Sequence, residues 1–239
     1  MAPVGLSVRF DGAQGAGIYP ALLQEVGAAA GCEFRIYRVP SARLQKMFET
    51  ARADVMVPAS VAAQRDAHGE FIPLVQVRAS LLAFAASKPV PSSLAELVAQ
   101  PRFKLAVVRG FTYGAAYDRT LATLRAQRRL VEEPDAAGVA RALRRGLAHA
   151  SVMTAHLFVG TLALEADLAP LIAHLQVQPL KELDWAESGI YLSHRLPEAD
   201  RHALRQALRQ AVRSGRIWRL FNEGYPPGSL VASMRPLAP

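Results

Sequence analysis

Cysteine is almost missing from this chain: Cys32 is the only one in 239 residues. An internal disulfide is therefore excluded, and cysteine usage says nothing about redox compartment. The flanks of Cys32, "AAAGCEFRIY", place it at the start of an expected strand, where a buried, inert thiol is the ordinary state. Lysine is scarce too; of the 28 basic residues only Lys46, Lys88, Lys104 and Lys181 are lysines. No apolar run approaches the ~18–20 residues needed to span a bilayer. Catalytic signatures are also missing. The glycines of "DGAQGAGIYP" (Gly12, Gly15, Gly17) read G-x-x-G-x-G, the wrong spacing for a phosphate loop. Ser188 in "AESGIY" lacks the two flanking glycines of a nucleophile elbow. His149 and His156 have no carboxylate or cysteine at ligand spacing, so neither a metal nor any other cofactor is expected.

What the chain does have is an ordinary globular balance, 51% hydrophobic and 20% charged, with a formal net charge of +8. The arginines thicken in "RHALRQALRQAVRSGRIWR" (201–219). Such a balance suits nucleic acid, a membrane surface or acidic ligands. No zinc finger, RNA-binding signature or recognition helix accompanies the arginines, and their recurrence at helical spacing reads as a solvated helix face. A nucleic-acid partner is therefore not expected.

Strands and helices alternate along the chain. "GLSVRF" (5–10) reads as a strand and "YPALLQEVGAAAG" (19–31) as a helix with Pro20 in its first turn and Gly31 at its end. "EFRIYRV" (33–39) alternates with period two and reads as a strand; "ARLQKMFETAR" is a helix, and "DVMVPA" (54–59) a buried-type strand. "LVQVRASLLAFAAS" (74–87) follows, then the Pro/Ser break "KPVPSS" (88–93). The alternation then restarts: helix "SLAELVAQ", strand "FKLAVVRG", helix "YGAAYDRTLATLRAQ", strand "RLVEE", helix "AAGVARALRRG", strand "ASVMTA", helix "HLFVGTLALEAD" and a strand near "AHLQVQPL". "AESGIYLSH" (186–194) is a return strand before a helical C-terminus (198–224). This rhythm predicts an α/β fold in two lobes.

Taken in order, the segments resemble the bacterial extracellular solute-binding proteins of family 3, with the type II periplasmic binding fold associated with amino-acid ABC importers. "RLQKMFETARADVMVPASVAAQRDAHGEFIPLVQVRASLLAF" resembles that family's helix, G-x-x-D strand, T-x-x-x-R loop and F-S-x-P-Y approach to the next strand. "LAVVRGFTYGAAYD" is similar to its second-lobe opening, and "ALRRGLAHASVMTAHLFVG" to its helix, G-R-x-D-A turn and ligand-facing strand. The closing segment "ESGIYLSHRLPEADRHALRQALRQAVRSGRIWRLFNEGY" is similar to its return strand and final helices. The resemblance implies two lobes, each a mostly parallel sheet flanked by helices: residues 1–87 with 186–239, and 88–185. Hinge strands would lie near 84–88 and 184–188, and ligand would bind in the cleft between the lobes.

The resemblance also implies a monomeric, non-enzymatic solute-binding component of an ABC-type importer, working with a membrane permease. Its place would be periplasmic, after removal of an export signal not visible in "MAPVGLSVRF"; the sequence by itself also admits a cytoplasmic chain. In the family the loop arginine grips the ligand's carboxylate, and Arg65 occupies that position; a guanidinium offers carboxylate a rigid fork. The competing arrangement pairs Arg65 with Asp66. Ser60, among the small residues of 59–63, would let ligand approach the backbone. Gly110 and Thr112 form the second-lobe counterpart, Thr112 also fitting a plain helix cap. Phe10 and Asp11 stand where the family builds a pocket wall, and Arg43 matches a P-x-x-R arginine that faces the cleft or braces the sheet. Amino-acid binders place an aspartate where Thr154 stands, and His149 occupies the aspartate position of G-R-x-D-A. The ligand is therefore expected to be carboxylate-bearing or amino-acid-like, with any ammonium countered by Asp11 or Glu187. Two alternatives on the same fold are a cyclohexadienyl-dehydratase-like lyase, using Glu187 or His149 as acid or base, and the ligand-sensing domain of a receptor or regulator.

Overall fold

The computed structural model describes Met1 and residues 5–39, 41–84 and 90–237. A 3-10 turn at Gly5–Ser7 leads into the hairpin β1 (Arg9–Asp11) and β2 (Gln14–Ala16), then α1 (Ile18–Ala30), α2 (Ser41–Glu49), β3 (Val55–Ser60), the short α3 (Ala63–Asp66) and β4 (Gly69–Val77). Next come β5 (Ala79–Phe84), α4 (Leu94–Ala99), β6 (Leu105–Val108), α5 (Ala115–Ala126), β7 (Leu130–Glu133), α6 (Ala136–Arg144), β8 (Ala150–Thr154), α7 (Ala155–Ala163) and β9 (Leu175–Pro179). β10 (Ala186–Ser193), α8 (Glu198–Arg213), α9 (Arg216–Gly224) and β11 (Met234–Pro236) complete the order.

The chain forms two compact units. Unit 1 is Met1–Val77, Ala186–Pro227 and Arg235–Pro239; unit 2 is Arg78–Trp185 and Gly228–Met234. The segment 74–87, which reads as one strand in the sequence, is thus β4 and β5, with the passage between units at Val77–Arg78. A second passage falls at Trp185–Ala186, and the tail contributes 228–234 to unit 2. Of the suggested hinge positions, 85–88 lie outside the described residues.

In unit 1 the sheet order is β11-β4-β10-β3, with β10 antiparallel to both β4 and β3. Strand β10 can lie this close to β4 because position 189 is glycine; a Cβ there would meet the Ile72 carbonyl oxygen at 2.1 Å. In unit 2 the order is β7-β6-β8-β5-β9, with β6 parallel to β7 and β8, and β5 antiparallel to β8 and β9. The sheets are mixed rather than mostly parallel. Parallel pairing needs a crossover connection, and β5 and β10 each follow directly on a passage between units.

Strand β5 is a continuous apolar run because both of its faces are covered. Leu81 packs with Leu97, Tyr117 and Leu124 on one side, and Leu82 with Met153, Phe158 and Leu162 on the other. Local signals set the helix ends. Gly31 closes α1 with φ 68°, and the Ser93 and Asp135 side chains accept N–H groups of α4 and α6. The arginines of 201–219 are largely engaged: Arg205 with Glu70 (2.7 Å), Arg216 with Glu25 (2.6 Å) and Arg201 with Glu198.

Two expected strands form differently. Residues 5–7 make a 3-10 turn, so only Arg9 and Phe10 of the first join a strand, the short hairpin. Residues 33–39 keep alternating burial but join no sheet. They share with the start of β3 the lining of a cavity of about 480 Å³.

Unit 2 contains a buried cation without a carboxylate partner. Arg129, 6% exposed, donates to the carbonyls of Leu97 (2.7 Å), Val98 (2.9 Å), Gln100 (2.5 Å) and Phe103 (2.9 Å). Two of these belong to the last turn of α4, where unpaired carbonyls and the helix dipole favour a positive charge. Arg129→Ala is expected to destabilise the protein by roughly 2–4 kcal/mol through the unpaired carbonyls it leaves, with Arg129→Lys restoring less than half. Urea denaturation midpoints test this.

His156, in the first turn of α7, is pushed down by burial from an ordinary 6.5 to about 4. The folded state then holds a neutral ring while the unfolded chain binds a proton, so stability rises with pH across this window. Lowering pH from about 6.5 to about 4 should remove up to about 3 kcal/mol. His156→Gln should flatten that dependence in pH-resolved unfolding curves.

Candidate functional site

Strand β3 ends at Ser60, and the single turn of α3 follows at once, so Arg65 returns toward the strand end. Its Nη1 donates to the Ser60 carbonyl at 2.7 Å, and its Nε to Gln45 Oε1 on α2 at 2.7 Å. Gln45 is itself oriented, its amide nitrogen donating to Glu49 Oε1 at 2.7 Å. Every hydrogen bond of the guanidinium is thus to a neutral oxygen. Among the described residues it makes no ion pair, and Nη2 has no partner. The side chain is half-buried.

Asp66 does not pair with Arg65. Its Oδ1 accepts the Tyr191 hydroxyl at 2.6 Å, and the same hydroxyl accepts the Ala62 N–H at 3.1 Å. Tyr191, fully buried on β10, is held protonated: burial first, then the Asp66 carboxylate, raises its pKa. The donor direction of this bond is fixed by that protonation.

The remaining unit 1 candidates divide. Ser60 is exposed beside Arg65 and joined to it through its carbonyl. Arg43 is exposed on α2 and forms no ion pair among the described residues. Phe10 and Asp11 belong to the β1–β2 hairpin; Asp11 is 74% exposed with Arg9 at 3.9 Å, and Phe10 lies opposite Gly15. Glu187 is exposed on β10 opposite Gln76.

In unit 2, β6 and β8 are parallel neighbours. The turn after β6 and the end of β8 therefore lie at one edge of the sheet, which brings Gly110, Thr112 and Thr154 to the same end. Gly110 takes φ 82°, a conformation that favours glycine. The Thr112 hydroxyl is taken by Asp118 in the first turn of α5, at 2.7 and 2.9 Å. With Gly110 and Phe111 these two line a cavity of about 280 Å³. Gly114, not Thr112, is the cap of α5. Thr154 is 9% exposed and stands at the N-terminus of α7. Its backbone bonds to Tyr113, whose hydroxyl pKa is driven up mainly by burial.

His149 sits at the other end of β8. Its Nδ1 accepts the Lys104 N–H at 3.0 Å, and its ring stacks on Phe103 at 5.2 Å. Five residues of strand, about 16 Å, separate it from Thr154. Among the described residues no group of three His, Cys, Asp or Glu side chains is placed to hold a metal ion, and no helix is long and apolar enough to cross a membrane.

Gln45, Asp118 and Tyr191 escape sequence reading. Gln45 lies on a helix face two residues past Arg43, with nothing to mark it. The acceptor role of Asp66 becomes visible only when Tyr191, 125 residues away, is placed beside it.

No family model and no curated protein matches the chain. Solved structures do. The GluR0 ligand-binding core in complex with L-glutamate superposes with a TM-score of 0.73 at 16% identity, covering 95% of this chain and 96% of that one. A histidine kinase sensor domain with similarity to periplasmic binding proteins gives 0.70 at 16% identity, over 94% and 96%. The arginine-, lysine-, histidine-binding protein ArtJ from Geobacillus stearothermophilus gives 0.66 at 14% identity, over 95% of both chains. The chain has the two-lobed α/β fold that periplasmic binding proteins and these sensor domains share.

Proposed function

We propose that the protein is the solute-binding component of an ABC-type importer, taking a small carboxylate-bearing ligand without catalysing a reaction. Arg65 and Ser60 from unit 1 and Gly110, Thr112 and Thr154 from unit 2 contribute to holding that ligand. The observation that carries this reading is the state of Arg65: a half-buried guanidinium, oriented by two neutral oxygens, with an open Nη2 and no carboxylate partner among the described residues. A carboxylate arriving there completes the ion pair that the fold leaves open, in the bidentate geometry arginine favours. On this reading the chain works in the periplasm as a monomer that closes on ligand and is then recognised by a membrane permease.

An amino-acid ligand also brings an ammonium group. Thr154 supplies no charge for it, and burying an ammonium without a counter-charge costs several kcal/mol. Asp118, which holds the Thr112 hydroxyl, is a unit 2 carboxylate that would serve instead. The lyase reading is weaker, because His149 sits at the far end of β8 from Thr154. The sensor-domain reading keeps the same recognition with a different output, and the fold shared with the histidine kinase sensor domain favours keeping it.

Arg65→Ala is expected to weaken ligand binding by roughly 2–4 kcal/mol, about 30- to 1,000-fold. Arg65→Lys should recover only part, since it retains the charge and loses the fork. Calorimetry against dicarboxylates and amino acids found by a thermal-shift screen checks both. Unchanged affinity in Arg65→Ala removes the reading.

Thr154→Asp separates the two ligand classes. A simple dicarboxylate should bind less tightly to the variant through like-charge repulsion, whereas an α-amino acid should bind at least as tightly as it does to the parent. Titration of the same variant with both ligands, alongside its unfolding midpoint, gives the answer.

A further inference from the structure

At its Nε, Arg65 is oriented by a side chain that would repel it the other way round. The Gln45 amide carries an acceptor at one end and two donors at the other, and the two ends are nearly alike in size. Steric fit therefore does not choose between them. With its oxygen toward Arg65 the amide satisfies the Nε–H; turned over, its NH2 would face a guanidinium that has only donors to offer. The other contact of the guanidinium, Nη1 to the Ser60 carbonyl, is with a backbone group at the end of β3 that cannot turn over.

Glu49 makes that choice. It stands four residues after Gln45 on α2, one turn along the same face. An ionised carboxylate only accepts, so the Gln45 nitrogen turns to Glu49 Oε1 at 2.7 Å and the oxygen is left for Arg65 Nε at 2.7 Å. Glu49 has other cations within reach along the chain. Lys46 and Arg52 lie three residues to either side, yet among the described residues Glu49 forms an ion pair with neither. Half-buried beside Gln45, it is given to the amide instead.

We propose that Glu49 is a positioning residue for Arg65: it fixes the polarity of the Gln45 amide and, through it, the orientation in which the guanidinium meets an anion. The consequence for a ligand rests on the carboxylate reading above; the hydrogen-bond relay itself does not. A carboxylate in direct contact with Arg65 would orient it and also cancel its charge. Set one amide further back, Glu49 supplies the orientation and leaves the charge for an incoming anion. A cation at position 49 inverts the arrangement, because an ammonium only donates: it draws the Gln45 oxygen to itself and turns the NH2 on Arg65.

The test follows the Arg65 Nε–H by nuclear magnetic resonance in the full chain, the signal being the one that disappears in Arg65→Lys. Without ligand, exchange of that proton with water should quicken by about tenfold in Gln45→Ala, Glu49→Ala and Glu49→Lys, and by less in Glu49→Gln, which keeps an acceptor. Glu49→Ala should add nothing once Gln45 is already alanine, a coupling that a mere loss of α2 stability would not produce. Acetate, the simplest carboxylate, is then titrated against the same signal. Glu49→Lys removes a negative charge and adds a positive one, so long-range attraction alone would tighten acetate; the relay instead predicts a dissociation constant raised about three- to tenfold. A parent signal indifferent to acetate removes the carboxylate reading and leaves the relay to the exchange rates. Unchanged exchange in Glu49→Ala and Glu49→Lys, effects that multiply in the double variant, or acetate bound by Glu49→Lys as tightly as by the parent overturns the proposal.

Discussion

The hydrogen bond from Tyr191 to Asp66 determines what Arg65 is able to do. An arginine followed directly by an aspartate on one helical turn would ordinarily share charge with it. Here the carboxylate is turned inward to a buried phenol, and the phenol also receives the Ala62 N–H. Both ends of α3 are thereby tied to β10, and Arg65 is left to neutral acceptors on β3 and α2. The phenol is a dependable donor because burial and the adjacent carboxylate both oppose its ionisation. Loss of that bond would free the Asp66 carboxylate, one residue from Arg65, to compete for its charge.

This arrangement depends on chain topology. Strand β10 arrives after residues 78–185 of unit 2, and it runs through the middle of the unit 1 sheet between β4 and β3. Unit 1 therefore cannot complete its sheet, or give Asp66 its Tyr191 partner, until the chain has returned. The close approach needed at Gly189 belongs to the same constraint. Because β3 has a neighbour from a distant segment, the surroundings of Ser60 and Arg65 at its end are coupled to completion of the fold.

Much of this was legible in the sequence, and the boundary is physical. Helix and strand periods, proline in a first turn and glycine at a helix end act over a few residues, so α1, α5, α6 and β8 could be read directly. Arg65 could be singled out because its loop resembles a known pattern. What escaped depends on tertiary partners. The alternation of 33–39 is present, but whether it joins a sheet depends on what stands beside it. Segment 74–87 holds no break at Arg78 that composition reveals. Gln45 and Asp118 carry no mark until their hydrogen-bond partners are known, and His149 could not be assigned to an end of β8 before the strand's direction relative to the helices was seen.

Charge compensation separates Arg65 from most of the other arginines; Arg78, held by the Ala232 carbonyl and the Trp185 ring, likewise meets no carboxylate among the described residues. Arg125, Arg141, Arg144, Arg205 and Arg216 each meet a carboxylate at 2.9 Å or less, and Arg129 is satisfied by carbonyls at the end of α4. An anion approaching any of these must break an existing bond, which in the Arg205–Glu70 pair is bidentate, Nε to Oε1 and Nη2 to Oε2. Exposed arginines such as Arg43 are uncompensated but stand in water, where screening makes a single ion pair worth little. Arg65 combines partial burial, fixed orientation and an uncompensated charge. A net charge of +8 spread over the molecule draws anions toward it without selecting among them, whereas a half-buried guanidinium held by neutral oxygens, as Arg65 is, offers a fixed fork to a single anion.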